Sequence, residues 1–222
     1  MPLRDHFHPP LSDRFPSNLV HRMWPMTIVE NLNLELPAEY RAFPRASIGT
    51  SPEFPSAYLI GNGCESRMEG GAIVREFDLD EGDDFSTHVQ YGCSTVAVIA
   101  IVGPRNVDTS AHRTAFSARC ADLLGRGIAV AIVDILPDCE WDLTRETLAF
   151  LNAPVEDLPT SMKATSLRVR RGGRMPASEI RSYPLGVGVA LPTIPVWIDT
   201  YSSTPLNLEL SYESACKALH IP

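Results

Sequence analysis

The sequence predicts an α/β domain, and three observations carry that reading. Ser94–Val102 (STVAVIAIV) and Ile128–Leu136 (IAVAIVDIL) are continuous apolar runs rich in β-branched residues, the pattern of strands covered on both faces. Between them, Phe116, Cys120, Leu123 and Leu124 recur at helical spacing within residues 111–124. A strand, a helix of about four turns and a second strand form a crossover unit, which sets the two strands parallel in one sheet.

The remaining elements follow in chain order. Residues 1–17 hold Pro2, Pro9, Pro10 and Pro16, which fix φ and remove donors, so an extended arm along the surface is expected. Ser17 and Asn18 suit a cap, and Pro25 suits the first turn of a helix running to about Leu36, ended by Pro37. Its buried stripe is Ile28, Val29, Leu32 and Leu36. A strand over 41–48 closes at Gly49. A turn-rich stretch over 49–70 comes next, then a strand over 72–79 and the acidic turn 80–84. Gly103-Pro104 stops the first buried strand, and Asp108, Thr109 or Ser110 caps the crossover helix, which Gly125 and Gly127 end. Farther on, a helix near 144–151 and a hairpin of 165–171 with 180–185 are expected. An extended segment punctuated by Pro192, Pro195 and Pro205 follows, and a last helix carries Tyr212, Ala215, Cys216 and Leu219. The expected division is an extended arm over 1–17, an α/β core over 18–140 and a C-terminal extension over 141–222 packed on the core.

Composition narrows the function. With 19 Lys plus Arg against 27 Asp plus Glu, the net charge is −8. That excludes a surface that is basic throughout but not a local basic groove. Cys64, Cys93, Cys120, Cys139 and Cys216 are odd in number and form no CxxC, so neither a disulfide framework nor a zinc knuckle is indicated. The N-terminus lacks the apolar stretch of a signal peptide, and no run reaches the roughly 18 apolar residues of a membrane span. A soluble, cytoplasmic protein with no membrane role is expected. Walker, GxSxG, HExxH and GxGxxG motifs do not occur.

The order helix, strand, strand, strand, helix, strand over residues 19–136 is that of the restriction-endonuclease-like PD-(D/E)XK core. Longer stretches resemble an uncharacterised bacterial family placed near that fold. They are MPLRDHFHPPL at the start, VAVIAIVGPRNVD (96–108), HRTAFSARCADLLGRGIAVAIVDIL (112–136), LPTIPVWID (191–199) and TPLNLELSYESACKALHIP (204–222). The resemblance implies a restriction-endonuclease-like core of order αβββαβ, with a proline-rich N-terminal arm and a small C-terminal lobe. It also implies a magnesium site built from an acid upstream, a glutamate on the third strand and a lysine after it, since magnesium takes hard oxygen ligands. In this chain the glutamate position holds Ala100, the lysine position Val107 and the upstream aspartate position Pro55. Losing both ligands and the lysine leaves nothing to hold the metal or to stabilise charge developing on phosphorus. A catalytically silent domain follows, with no cofactor and a protein partner or ligand as its target. The proline-rich arm and the 192–205 segment with Trp197 are its expected docking surfaces.

The alternative is a metal-dependent nuclease with relocated acids. Glu53, Asp78 and Asp134 would hold magnesium, with Lys163 or Arg105 as the cation, all converging within about 5–6 Å. Asp134 also reads as a strand-end acid bonded to the next loop. The acidic cluster Glu76, Asp78, Asp80, Glu81, Asp83 and Asp84 lacks the ligand order of a calcium loop and reads as a solvated turn. His6 and His8 read as solvated residues of the arm rather than a metal pair, and His112 and Cys120 are about 12 Å apart on one helix. Arg168, Arg170, Arg171 and Arg174 form the dense basic patch. Without interleaved aromatics it offers nucleic acid only weak, salt-sensitive phosphate contacts.

Overall fold

The computed structural model describes residues 2–47, 84–137, 139–153, 162–170 and 177–222. Its centre is a six-stranded sheet of β1 (Tyr40–Ser47), β2 (Asp84–Tyr91), β3 (Ser94–Val102), β4 (Ala129–Asp134), β5 (Lys163–Arg170) and β6 (Ala177–Pro184), in that spatial order. The pairs β1–β2 and β2–β3 are antiparallel, β3–β4 is parallel, and β4–β5 and β5–β6 are antiparallel. The two apolar runs are thus the parallel pair expected of a crossover. The helix between them, α3 (Ser110–Gly125), is capped by the Thr109 hydroxyl, which accepts from His112 N. The 141–222 segment continues the sheet, since β5 bonds directly to β4.

Parity along the strands sorts the core into two apolar clusters. Odd-numbered positions of β3 and β4 (Ala97, Ile99, Ile101, Ala129, Ala131, Val133) face α2 (Ser17–Glu35), α5 (Leu208–Ala218) and the hairpin of β7 (Thr193–Trp197) with β8 (Ser203–Asn207). Even-numbered positions (Val98, Val102, Val130, Ile132) face α3 and α4 (Leu143–Phe150). Helices therefore cover both faces, as dry parallel strands require.

Several elements differ from expectation for identifiable reasons. The first long helix begins at Ser17 and Pro25 lies in its interior, although an interior proline removes a helix hydrogen bond. Packing compensates: Trp24 is fully buried against Tyr212 and donates from Nε1 to Ser211 Oγ (2.9 Å), while Thr87 Oγ1 donates to Pro25 O (2.9 Å). The strand expected over 72–79 lies outside the described residues, and β2 occupies a segment where no element was expected. Its sequence DFSTHVQY buries polar residues on both faces, Thr87 on one and His88 on the other, which hides the usual alternation. Gly92 at φ +56° makes the tight turn into β3. Two prolines of the expected extended segment, Pro195 and Pro205, face each other in β7–β8, and Pro192 immediately precedes β7.

The arm is ordered against the body. It includes a short α1 (Leu11–Arg14), and Leu3 and His6 are buried. Tyr212 OH accepts from Arg4 N (3.0 Å) and bonds His6 Nε2 (2.6 Å), while Leu3 exchanges backbone bonds with Gly188 and Val189. His8 instead pairs with Asp5 (2.8 Å), so the two arm histidines serve separate contacts. No helix of the described residues is long and apolar enough to cross a membrane.

Candidate functional site

The position that decides between the two functional readings is Ala100, on the α3 face of β3. Sheet register places Arg45 of β1 opposite Ser86 of β2, and Ser86 opposite Ala100. The three side chains form a row about 10 Å across, two strand spacings. Above this row a cavity of about 50 Å³ is lined by Arg45, Ser86, His88, Ala100, Asn106, Phe116, Arg119 and Cys120, with Phe85, Val98, Ile101 and Leu123. Among the described residues its wall carries two guanidiniums and an imidazole, and no carboxylate.

His88 is 7% exposed and stacks obliquely on Phe43, with ring centroids 5.7 Å apart. Its Nε2 bonds Ser86 Oγ (3.1 Å), and its Nδ1 is buried without a hydrogen-bond partner. Burial first, then the nearby charges of Arg45 and Arg119, push its pKa down to about 4, so the ring is neutral near pH 7. The floor near Ala100 is closed by apolar neighbours, and Val107 packs against the same cluster beneath α3. Asn106 Oδ1 accepts from Gly103 N (2.7 Å), which fixes the 3-10 turn Pro104–Asn106 at the end of β3.

This donor set does not fit magnesium. A hard divalent cation needs anionic oxygens, whereas the described lining residues supply no carboxylate and a buried neutral histidine offers one nitrogen at most. Among the described residues no group of three or more His, Cys, Asp or Glu side chains is placed to hold a metal ion.

The structure brings together one pair from the relocated set. Asp134, at the end of β4, is the register partner of Lys163 at the start of β5. Lys163 is 3% exposed, and its Nζ lies 2.6 Å from Asp142 Oδ2. Asp142, which sequence reasoning did not single out, also caps α4 by accepting from Arg145 N (3.0 Å). Asp134 is 8% exposed and accepts from Leu136 N (3.1 Å), the loop contact expected of a strand-end acid. Burial raises its pKa to about 6 against the opposing charge of Lys163. Glu53, Pro55 and Asp78 lie outside the described residues, and Arg105 is exposed on the 3-10 turn near Asp108.

Of the four arginines of the basic patch, Arg168 and Arg170 lie among the described residues. Arg168 is tied to Glu179 through Nε (2.8 Å) and Nη2, donates to Thr200 O (2.8 Å), and lies 3.5 Å over the Trp197 ring. A guanidinium held by a carboxylate, a carbonyl and an indole is a structural clamp rather than a phosphate finger. Trp197, expected to be a docking side chain, is 7% exposed beneath it. Arg170 is exposed at the strand end, and Arg171 and Arg174 lie outside the described residues. Arg168, Arg170 and Trp197 border a wider cleft of about 500 Å³ with Tyr40, Tyr91 and Arg126, at the other end of the parallel strands.

No family model, curated protein or solved structure matches the chain.

Proposed function

We propose that the protein is a non-catalytic domain on a restriction-endonuclease-like frame and acts by binding. The order α2, β1, β2, β3, α3, β4, with three antiparallel strands followed by a parallel fourth, supports the frame. One observation carries the function: among the described residues, the wall around the row Arg45, Ser86, Ala100 holds no carboxylate where a metal nuclease needs them. Leu3, His6 and Trp197 are buried and so are not docking contacts, whereas Pro9 and Pro10 of the arm and Tyr201 of the 192–205 segment stay exposed; in this reading the cleft joins them as a candidate binding surface.

Asp134 beside Lys163 favours a relocated nuclease in composition only. The ammonium of Lys163 already sits where a cation would, and both side chains are shut away from water. Calorimetric titration with magnesium and with manganese, paired with incubation on single- and double-stranded DNA and RNA, separates the readings. The expected outcome is no saturable metal binding and no cleavage. Tight metal binding with cleavage of any strand would overturn the proposal.

A further inference from the structure

We propose that residues 2–14 form an acid-released strap: protonation of His6 detaches this arm from α2 and α5 as a unit while the sheet stays folded. The strap is a device of the arm alone and stands apart from the binding reading above.

The arm is held to the body mainly at one end. Leu3 is its buried apolar anchor, and Phe7, Leu11 and Phe15 add partly buried contacts. Leu3 N donates to Val189 O (3.0 Å), Gly188 N donates to Leu3 O (2.8 Å), and Arg4 N donates to Tyr212 OH (3.0 Å). His6 Nε2 bonds that same hydroxyl (2.6 Å), and Phe7 meets His21 of α2 edge-on. Farther along, α1 contains no buried residue. The arm also carries bonds of its own, since Asp5 Oδ1 accepts from Phe7 N and His8 N (3.1 Å each) and the Asp5 carboxylate pairs with the His8 ring. These survive detachment. A segment with few buried anchors and internal bonds of this kind opens at a lower cost than the whole fold.

His6 is the trigger because its docked ring has room for one proton and not for two. It is 1% exposed and meets Tyr212 edge-on, with ring centroids 5.7 Å apart. In either neutral tautomer Nε2 shares one proton with the hydroxyl, and Nδ1 is buried without a hydrogen-bond partner. A second proton makes a buried cation whose Nδ1–H meets no acceptor, which is costly. Arg4 of the arm and His21 of α2 oppose a positive ring, while Asp5, which favours one, is engaged by His8. From α5 come Tyr212 and Cys216, both pushed up by burial and so uncharged near neutral pH. The loop 186–189 brings no titratable group. Burial first, then Arg4, holds the docked ring down at about 4, whereas water restores its ordinary 6.5. Protons therefore favour the released arm. Between pH 6.5 and 4 the ratio of released to docked arm rises about tenfold per pH unit, roughly 300-fold in all.

The test is amide hydrogen exchange of the full chain between pH 6.5 and 4, read by NMR and corrected for the intrinsic rate at each pH. The Leu3 and Arg4 amides should lose protection about tenfold per pH unit, and the Gly188 amide, which donates to Leu3 O, should follow them. The Ile99 and Ile132 amides of the buried strands should exchange more slowly at every pH. His6→Gln keeps a polar side chain that does not titrate, and it should flatten the pH dependence at the arm. His8→Gln should leave that dependence in place. Where His6→Gln fails to melt cooperatively, Tyr212→Phe serves instead. It removes the shared hydroxyl and should speed exchange at Leu3 about tenfold at pH 6.5, the scale of one lost hydrogen bond, with Ile99 still slower. Arm amides as slow as those of the buried strands, protection that does not fall with pH, or a fall that survives His6→Gln or vanishes in His8→Gln overturns the inference. So does an arm that Tyr212→Phe leaves unchanged. Each of those results leaves the non-catalytic reading intact.

Discussion

Asp142→Ala is expected to destabilise the fold by about 3–5 kcal/mol, the range for stripping one partner from a buried ion pair. Two losses combine in that substitution. The α4 cap bond to Arg145 N is worth about 1 kcal/mol, and the lost ion pair with the buried Lys163 ammonium accounts for the larger part. Asp142→Asn separates them, because asparagine caps as well as aspartate but carries no charge. If the lost ion pair dominates, Asn should be nearly as damaging as Ala in urea unfolding; a loss of about 1 kcal/mol in Ala and none in Asn would show the pair to be unimportant. The double variant Lys163→Met with Asp142→Asn should recover part of the stability, since the buried ammonium is gone while Asp134 loses its nearby cation.

Acidification from pH 7 to pH 4 is expected to cost roughly 3–4 kcal/mol. His6 and His88 are both pushed down to about 4, His6 by burial first and then by the charge of Arg4. Between about pH 6.5 and 4 the unfolded chain protonates both while the fold does not, so their contribution is present above that window and lost as pH falls through it. Asp134 works in the opposite sense. Its folded pKa of about 6 exceeds the ordinary 3.8, so the fold gains stability on taking up that proton as pH drops. Two histidines outweigh one carboxyl, and the net slope is positive with pH. Urea midpoints at pH 7, 5 and 4 read this directly. A flat profile, or stability rising on acidification, would show that these histidines are not held neutral.

The parallel pair was legible because STVAVIAIV and IAVAIVDIL bury both faces, and such runs need no knowledge of their neighbours. The helix between them was legible for a similar reason: its cap and its apolar spacing are local. Pro25 misled because its helix survives through long-range packing of Trp24 on α5. The strand β2 stayed hidden because Thr87 and His88 are buried only where α2 and the cleft receive them.

The candidate site was legible as an absence and not as a presence. Ala100 and Val107 stand where the resemblance leads one to expect an acid and a lysine, but nothing in the chain order linked Arg45, His88 and Arg119. Sheet register and the seating of α3 bring those three together. Arg168 stood in the sequence as part of a basic cluster, but Glu179 and Trp197 engage it from strands distant in sequence.

Crystals grown with manganese, measured at the manganese absorption edge, test the non-catalytic reading most directly. The expected map shows no anomalous peak at Ala100. A manganese ion held by oxygens at that spot would contradict it.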